Sequence, residues 1–358
     1  MKTENSSNRI VITSRVRLAR NLRGLPFPGW AKKAERQHVL DLLKPAVEEA
    51  GEMKEVSVST SMDNLTALDK QILVERHLVS REHAAKNVGS GLVINKIESV
   101  SVMINEEDHL RMQAIKPGLQ LQKTHQIIDK VDSELESKVE YAFSPKLGYL
   151  TACPTNVGTG MRASAMLHLP GLVLHEQVNQ IIQAVNKLGL AVRGLYGEGT
   201  EALGNVFQVS NQSTLGEREI NVIERLNKVI QQIIEHEENA RLSLVDKKPF
   251  MVYDQVGRAY GILTSAHSMS SKEAMNLLSM MRLGVDLEIF SGLDRALIDD
   301  LFISTQPAHL QRTASGKLGA EERDVLRAEI VRKALKGTLR PKEHRTQRDG
   351  SKEGKSNE

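Results

Sequence analysis

Val39, Leu42, Leu43, Ala46, Val47 and Ala50 recur at helical spacing over residues 34–50, and Gly51 stands where a C-cap glycine belongs. Pro45 inside this run predicts a kink or two shorter helices. The segment VSVST, from Val56, reads as a short strand. In SVSVMIN, Val100, Val102 and Ile104 alternate with smaller or more polar residues, the period of a strand with one buried face. Further helices are predicted near 126–142, 172–188 and 217–236, interleaved with strands near 92–104, 191–196 and 205–210. This mixed pattern lacks regular β-α-β repetition, so an α+β fold with a largely antiparallel sheet flanked by helices is expected. Beyond about residue 245 the strand signals fade. SKEAMNLLSMMRLGV, LDRALIDDLFI and GAEERDVLRAEIVRKAL all have helical period, which predicts a catalytic-size domain over 1–244 and a smaller helical domain over 245–338. Residues 339–358 are basic and nearly devoid of apolar side chains, and read as a disordered tail.

Composition narrows the class. A chain of 358 residues with 40% apolar and 26% charged residues is long enough for two domains with real cores. No apolar run approaches the roughly 18 residues of a membrane span, and MKTENSSNRI lacks the apolar centre of a secretory signal. A cytoplasmic protein is therefore expected. The single cysteine, Cys153, excludes an intramolecular disulfide and fits a reducing compartment. With 3% aromatic residues there are few platforms for stacking single-stranded nucleic acid, and the net charge of +3 is slight.

The candidate chemistry begins at VMINEEDHLRM, where Glu106, Glu107 and Asp108 follow an apolar strand pattern and Arg111 follows them. Alone, three acids in a row describe a solvated turn. Placed where a strand leaves its sheet, they are held by a rigid element and open to a cleft. The usual nucleotide signatures are missing: there is no G-x-x-x-x-G-K-[ST], no H-R-D with D-F-G, and no G-x-G-x-x-G opening a helix. Arginines stand in their place. Arg15 and Arg17 in TSRVRLAR share one face of a strand, and Arg111, Arg162 and Arg193 are further candidates for a set of bidentate phosphate forks.

TSRVRLAR, NEEDHLR, CPTNVGTGMRAS, RGLYGEGTE and VSNQSTLGERE match in order the motifs of the phosphagen (guanidino) kinases, and the resemblance covers roughly residues 9–235. It implies that Arg15, Arg17, Arg111, Arg162 and Arg193 bind the phosphates of Mg-ATP, with Mg²⁺ held mainly through those phosphates and not by a protein metal site. It implies that His77, in ERHL where relatives carry an acidic pair before the histidine, stacks on adenine; the alternative is a surface-helix histidine. Glu107 becomes the carboxylate that orients the acceptor guanidinium and takes its proton, and Glu198 a second guanidinium-binding glutamate. Cys153 lies beside the acceptor, the alternative being a small buried hydrophobe. The chemistry is coherent. A guanidinium with a pKa above about 12 is a poor nucleophile until a carboxylate removes a proton as the N–P bond forms. Surrounding arginines are expected to keep both glutamates ionised.

The first arginine motif begins already at Thr13, leaving no room for the helical domain that precedes it in small-molecule phosphagen kinases, so the acceptor side is expected to be open. This, with the added helical domain, resembles the bacterial protein arginine kinases. That resemblance implies protein substrates with accessible arginines, marking of those substrates for Clp-type proteolysis, and a role in stress response. It also implies as partners a zinc-binding activator, a transcriptional repressor, a Clp ATPase and a second copy of the chain. RDVLRA matches the R-D-x-x-R-A pattern of a phosphoarginine pocket, which would comprise Arg323, Asp324 and Arg327; a salt-bridged solvent face is the plain alternative. Three other readings stay open at this point: a kinase for free arginine or another guanidino metabolite, a phosphoarginine-reading adaptor with a vestigial kinase site, and nucleic-acid binding by the basic tail, for which there is no reader motif.

Overall fold

A computed structural model describes residues 9–194 and 202–343. Its strands are β1 (Val11–Arg20), β2 (Val56–Ser61), β3 (Gly91–Asn95), β4 (Val100–Ile104), β5 (Leu110–Pro117), the two-residue pair β6 (Phe143–Ser144) and β7 (Gly148–Tyr149), β8 (Met161–His168), β9 (Leu190–Gly194) and β10 (Val206–Asn211). All but β6 and β7 form one eight-stranded sheet, in the order β2-β3-β4-β5-β1-β8-β10-β9. Every pairing in it is antiparallel. The helices that accompany it are α1 (Lys33–Glu48), α2 (Ala67–Glu75), α3 (Arg81–Ala84), α4 (Leu121–Glu136), α5 (Pro170–Leu174), α6 (Val178–Lys187) and α7 (Glu219–Lys247). After α7 the described chain is helical only: α8 (Pro249–Ser265), α9 (Ser271–Asp286), α10 (Arg295–Ser304), α11 (Pro307–Thr313) and α12 (Ala320–Ala334). None of the described helices is long and apolar enough to cross a membrane.

Strand alternation divides the sheet into two faces with different jobs. Val16 and Leu18 of β1, Met112 and Ala114 of β5, Ala163 and Ala165 of β8 and Phe207 and Val209 of β10 point into one apolar core with helices α1, α4 and α7. The opposite face carries Arg15 and Arg17, two apart on β1, with Arg162 of β8 and Gln208 of β10, and it is this face that holds the cleft described below. Burying the apolar face fixes register, because a slip of one residue would exchange the two faces.

A second core, from Leu244 to Leu335, joins α8, α9, α10 and α12. The seam between the two cores is polar and closely bonded. Glu75 of α2 accepts from the first N–H groups of α11 at 2.8 and 3.1 Å, Gly204 N donates to Asn276 at 3.0 Å, and Arg282 of α9 donates to the Arg9 carbonyl at 2.8 Å.

Several expectations need correction. Pro45 does not split its helix: α1 runs through it, and only the last turn lies beyond the missing N–H. Gly51 is not a C-cap; the helix ends at Glu48 with Glu49 as its cap, and Gly51 opens a 3-10 turn with its N–H donating to Glu134. The helix expected at 172–188 is two, interrupted where Glu176 adopts φ +60°. Strand β4 is buried on both faces, because Met103 packs with Leu92, Ile94 and Met62 in a third small core. The start of the expected basic tail is bonded, with Lys342 N donating to the Ile289 carbonyl at 2.8 Å.

Candidate active site

The three acids of NEEDHLR, equivalent in sequence, are separated by the fold into three roles. Glu106 is buried and accepts from Arg111 at 2.8 and 2.9 Å and from Ser80 at 2.6 Å. Burial opposes its charge, but Arg111 and Ser80 outweigh it and hold the carboxyl below its ordinary value. Asp108 is also buried, and accepts from Asn21 at 2.6 Å and from the Ala152 N–H at 2.7 Å. It ties the loop to the segment that leads into Cys153. Glu107 alone is exposed, at the edge of the cleft. Partial desolvation, then the charges of Asp108 and Glu106, push its carboxyl above the ordinary value despite Arg111. The consequence suits a base, because a carboxylate with a raised pKa binds the transferred proton more strongly.

His109 completes the motif as an anchor. Its Nδ1 accepts from the Leu22 N–H at 3.0 Å, which puts the proton on Nε2, and that Nε2–H donates to the Pro26 carbonyl at 3.0 Å. Burial lowers its pKa, so the ring is held neutral.

Arg15, Arg17, Arg111, Arg162 and Arg193 all line one cleft of about 970 Å³ together with Glu107. In the sheet register Arg17 lies opposite Arg162, an arrangement of like charges that disfavours the empty fold. Burial and the neighbouring arginines depress the pKa of Arg15 to about 10 and lower that of Arg17; for Arg162 the causes are burial, then Arg193 and Arg111. The buried Nε atoms of Arg15, Arg17 and Arg162 have no hydrogen-bond partner. Arg15 reaches Gln208 at 2.8 Å, a residue sequence reasoning missed although it alternates correctly along β10. Concentrated positive charge with unfilled donors is the physical signature of a polyanion site.

Below the cleft a narrower pocket of about 160 Å³ is lined by Arg17, Glu107, Cys153, Thr155, Asn156 and Arg162, among others. Cys153 is half-buried, with Sγ 3.0 Å from the Thr155 hydroxyl. On the other side of Arg15 lies an apolar cavity of about 240 Å³, walled by Ile12, Ile115, Met166 and Val206 of the sheet region and by Met275, Phe302 and Ile303 of α9 and α10. His77 lines it too. This histidine ends α2 in the left-handed region, φ +59°, a place more often taken by glycine or asparagine, and burial followed by the charge of Arg15 lowers its pKa to about 4.

The structure thus brings together Arg15, Arg17, His77, Arg111, Arg162, Arg193, Glu107 and Cys153. Glu198 lies outside the described residues. Arg323, Asp324 and Arg327 share α12, far along the chain in the second core. Arg327 is buried and donates to the Thr305 and Met269 carbonyls at 2.9 and 2.7 Å and to Asp324. Arg323 donates to the Leu318 carbonyl at 2.9 Å.

Two family profiles match the chain: ATP:guanido phosphotransferase, C-terminal catalytic domain, over residues 38–240, and Protein-arginine kinase McsB C-terminal domain, over residues 249–347. Proteins named protein-arginine kinase from Bacillus cereus and Halothermothrix orenii are 47% and 45% identical to it, over 94% and 91% of this chain and 95% and 93% of theirs. Among solved structures, lombricine kinase superposes with a TM-score of 0.57 at 25% identity, covering 64% of this chain and 67% of that one. The substrate-free duplicated taurocyamine kinase from Schistosoma mansoni superposes with a TM-score of 0.58 at 24% identity, over 76% of this chain and 41% of that one. With a profile matching more than half its length and relatives of 45–47% identity along nearly all of it, the chain belongs to the ATP:guanido phosphotransferase family.

Proposed function

We propose that this chain is an ATP-dependent protein-arginine kinase, with Glu107 as the catalytic base. The observation that carries the reading is the cleft itself: three half-buried arginines whose buried Nε donors are unfilled, beside the exposed Glu107, whose affinity for a proton is raised. The acceptor guanidinium enters the narrow pocket between Glu107 and Cys153, and Arg15, Arg17, Arg111, Arg162 and Arg193 hold the triphosphate, with the base in the apolar cavity beside His77. An arginine nitrogen forms a bond to the γ-phosphorus as the bond from that phosphorus to the β,γ-bridging oxygen breaks. ADP leaves with the electron pair, and Glu107 takes the guanidinium proton. Positioning and charge neutralisation supply most of the acceleration in such a loose transfer.

The donor set of the cleft suits anionic phosphate and not a bare cation. Mg²⁺ would arrive with the nucleotide, and when bound would supply neutralisation of phosphate charge beside that of the arginines. The described residues do gather His125, Asp129 and Glu219 within 4.8 Å of one another, but that group does not line the cleft and Arg20 stands 3.7 Å from Glu219. Glu198 as a second guanidinium clamp, a catalytic unit over 1–244 with a helical unit over 245–338, and a cytoplasmic setting belong to the same proposal. So does marking of substrates for Clp-type proteolysis with an activator, a repressor, a Clp ATPase and a second copy as partners; its support is the motif resemblance. For phosphoarginine binding on α12 we propose that Asp324, whose side chain is 32% exposed, and Arg323 meet the ligand while Arg327 holds the helix in place.

Glu107→Gln tests the base. It should lower turnover by about 10² to 10⁴ while ATP affinity, measured by calorimetry, stays near that of the parent. Wild-type turnover would remove Glu107 from the chemistry. Supplying free arginine or an arginine-containing peptide with Mg-ATP, and quantifying acid-labile N-phosphate, separates this reading from a kinase for a free guanidino metabolite such as the solved structural relatives are named for.

A further inference from the structure

The loop between β1 and α1, LRGLPFPGWA, is not accounted for by the nucleotide or by the guanidinium pocket. It carries the chain's single tryptophan, Trp30, which is 89% exposed, more than any other large apolar residue among those described. An indole in water needs a reason, and here the loop is held firmly in place. His109 bonds both ends of its first turn, through Leu22 N–H and the Pro26 carbonyl, and the Phe27 ring stands edge-on to the His109 ring with centroids 6.1 Å apart. The N–H groups of Trp30 and Ala31 both donate to the Phe27 carbonyl at 2.9 Å. The same histidine follows Glu107 by two residues, so one side chain fixes the tryptophan loop to the base loop. Trp30 also lines the very cleft that holds Glu107 and the phosphate arginines.

We propose that Trp30 is the docking platform for the acceptor polypeptide, packing its indole face against the chain that flanks the target arginine. The inference rests on the protein-kinase reading above and names how that substrate class is recognised. For an arginine side chain to reach the pocket between Glu107 and Cys153, its backbone must lie across the cleft mouth, and the exposed ring stands on that wall. Tryptophan offers a large rigid surface at small entropic cost, stacks on backbone and on aliphatic stems, and attracts neighbouring cations through its face. Recognition of this kind reads the presence of flanking chain and not its sequence, which fits an acceptor segment that is extended and locally unfolded.

Two measurements test it. In the parent protein the KM for an amide-capped single arginine should exceed that for a ten-residue glycine-serine peptide with one central arginine. In Trp30→Ala this advantage of the longer acceptor should disappear, the peptide KM rising roughly 10- to 30-fold with kcat unchanged, and Trp30→Phe should restore most of it. Because the chain has one tryptophan, its fluorescence reports the contact directly, and the ten-residue peptide without ATP should shift the emission of the parent protein. If peptide length lowers the KM of the alanine variant as much as that of the parent, or if kcat falls equally on both acceptors, the platform is refuted. A parent protein whose fluorescence responds to peptide but which phosphorylates none would keep the platform and overturn the kinase reading instead.

Discussion

Two groups of arginines are withdrawn from solvent in this molecule, fully buried in the seam and half-buried in the cleft, and their partners set them apart. In the seam, Arg241 donates to Glu237 at 2.6 Å, to Asp286 at 2.9 Å and to the His168 carbonyl at 3.3 Å. Arg282 donates to Asp299 at 2.7 Å and to the Arg9 carbonyl at 2.8 Å, and its Nη1 lies 3.1 Å from His168 Nδ1. In the cleft, Arg17 and Arg162 face each other with Nε atoms unfilled. The seam arginines complete the fold; the cleft arginines await an anion. Charge that is locally neutralised stabilises structure, and charge left unneutralised stores a preference for ligand.

The sharpest way to break this distinction is to remove one member of each group. Arg241→Ala takes from the buried Glu237 its charged partner, leaving it the Gly171 and Leu172 N–H groups, and takes one of three arginines from Asp286; it should cost about 3–5 kcal/mol of stability in denaturant unfolding. A midpoint equal to that of the parent would erase the contrast. Arg17→Met should leave the fold as stable or make it more so, since it removes like-charge repulsion, while weakening ATP by about 1.5–3 kcal/mol, or roughly 10- to 10²-fold, in calorimetry. Loss of stability without loss of affinity would move Arg17 into the structural group. A smaller effect is expected from inorganic tripolyphosphate, which should raise the melting temperature of the parent and raise it less in Arg17→Met.

The smallest effect is a displaced pH limb. The base must be deprotonated, so turnover falls as pH drops through the pKa of Glu107, and that limb should lie above the ordinary glutamate value of 4.5. The sign for stability is opposite: a carboxyl whose pKa is raised by folding contributes stability that is lost as pH rises through it. A limb at or below the ordinary value would argue for another base.

The cleft was largely legible because its information is periodic. Two arginines two apart on a strand share a face whatever the register, and the apolar residues between them fix which face is buried. What the sequence could not separate were Glu106, Glu107 and Asp108, for their roles depend on Ser80, Asn21 and Ala152, which come from distant segments. The inward turn of Arg327 was hidden for the same reason: its partners Thr305 and Met269 lie on other segments. Trp30 went unnoticed because a loop has no period, although a lone tryptophan in PFPGW, in a chain so poor in aromatics, was a compositional signal.

The apolar cavity beside His77 has walls from both cores, the sheet on one side and Met275, Phe302 and Ile303 on the other. An occupant that touches both walls is linked to their closure, and linkage is reciprocal: whatever factor the closed seam adds to nucleotide affinity, the nucleotide must add to the closed seam. Amide hydrogens of α9 and α10, some of them remote from any phosphate, should therefore exchange more slowly when ATP is bound. A partner that pulls those helices away would empty the site without touching an arginine.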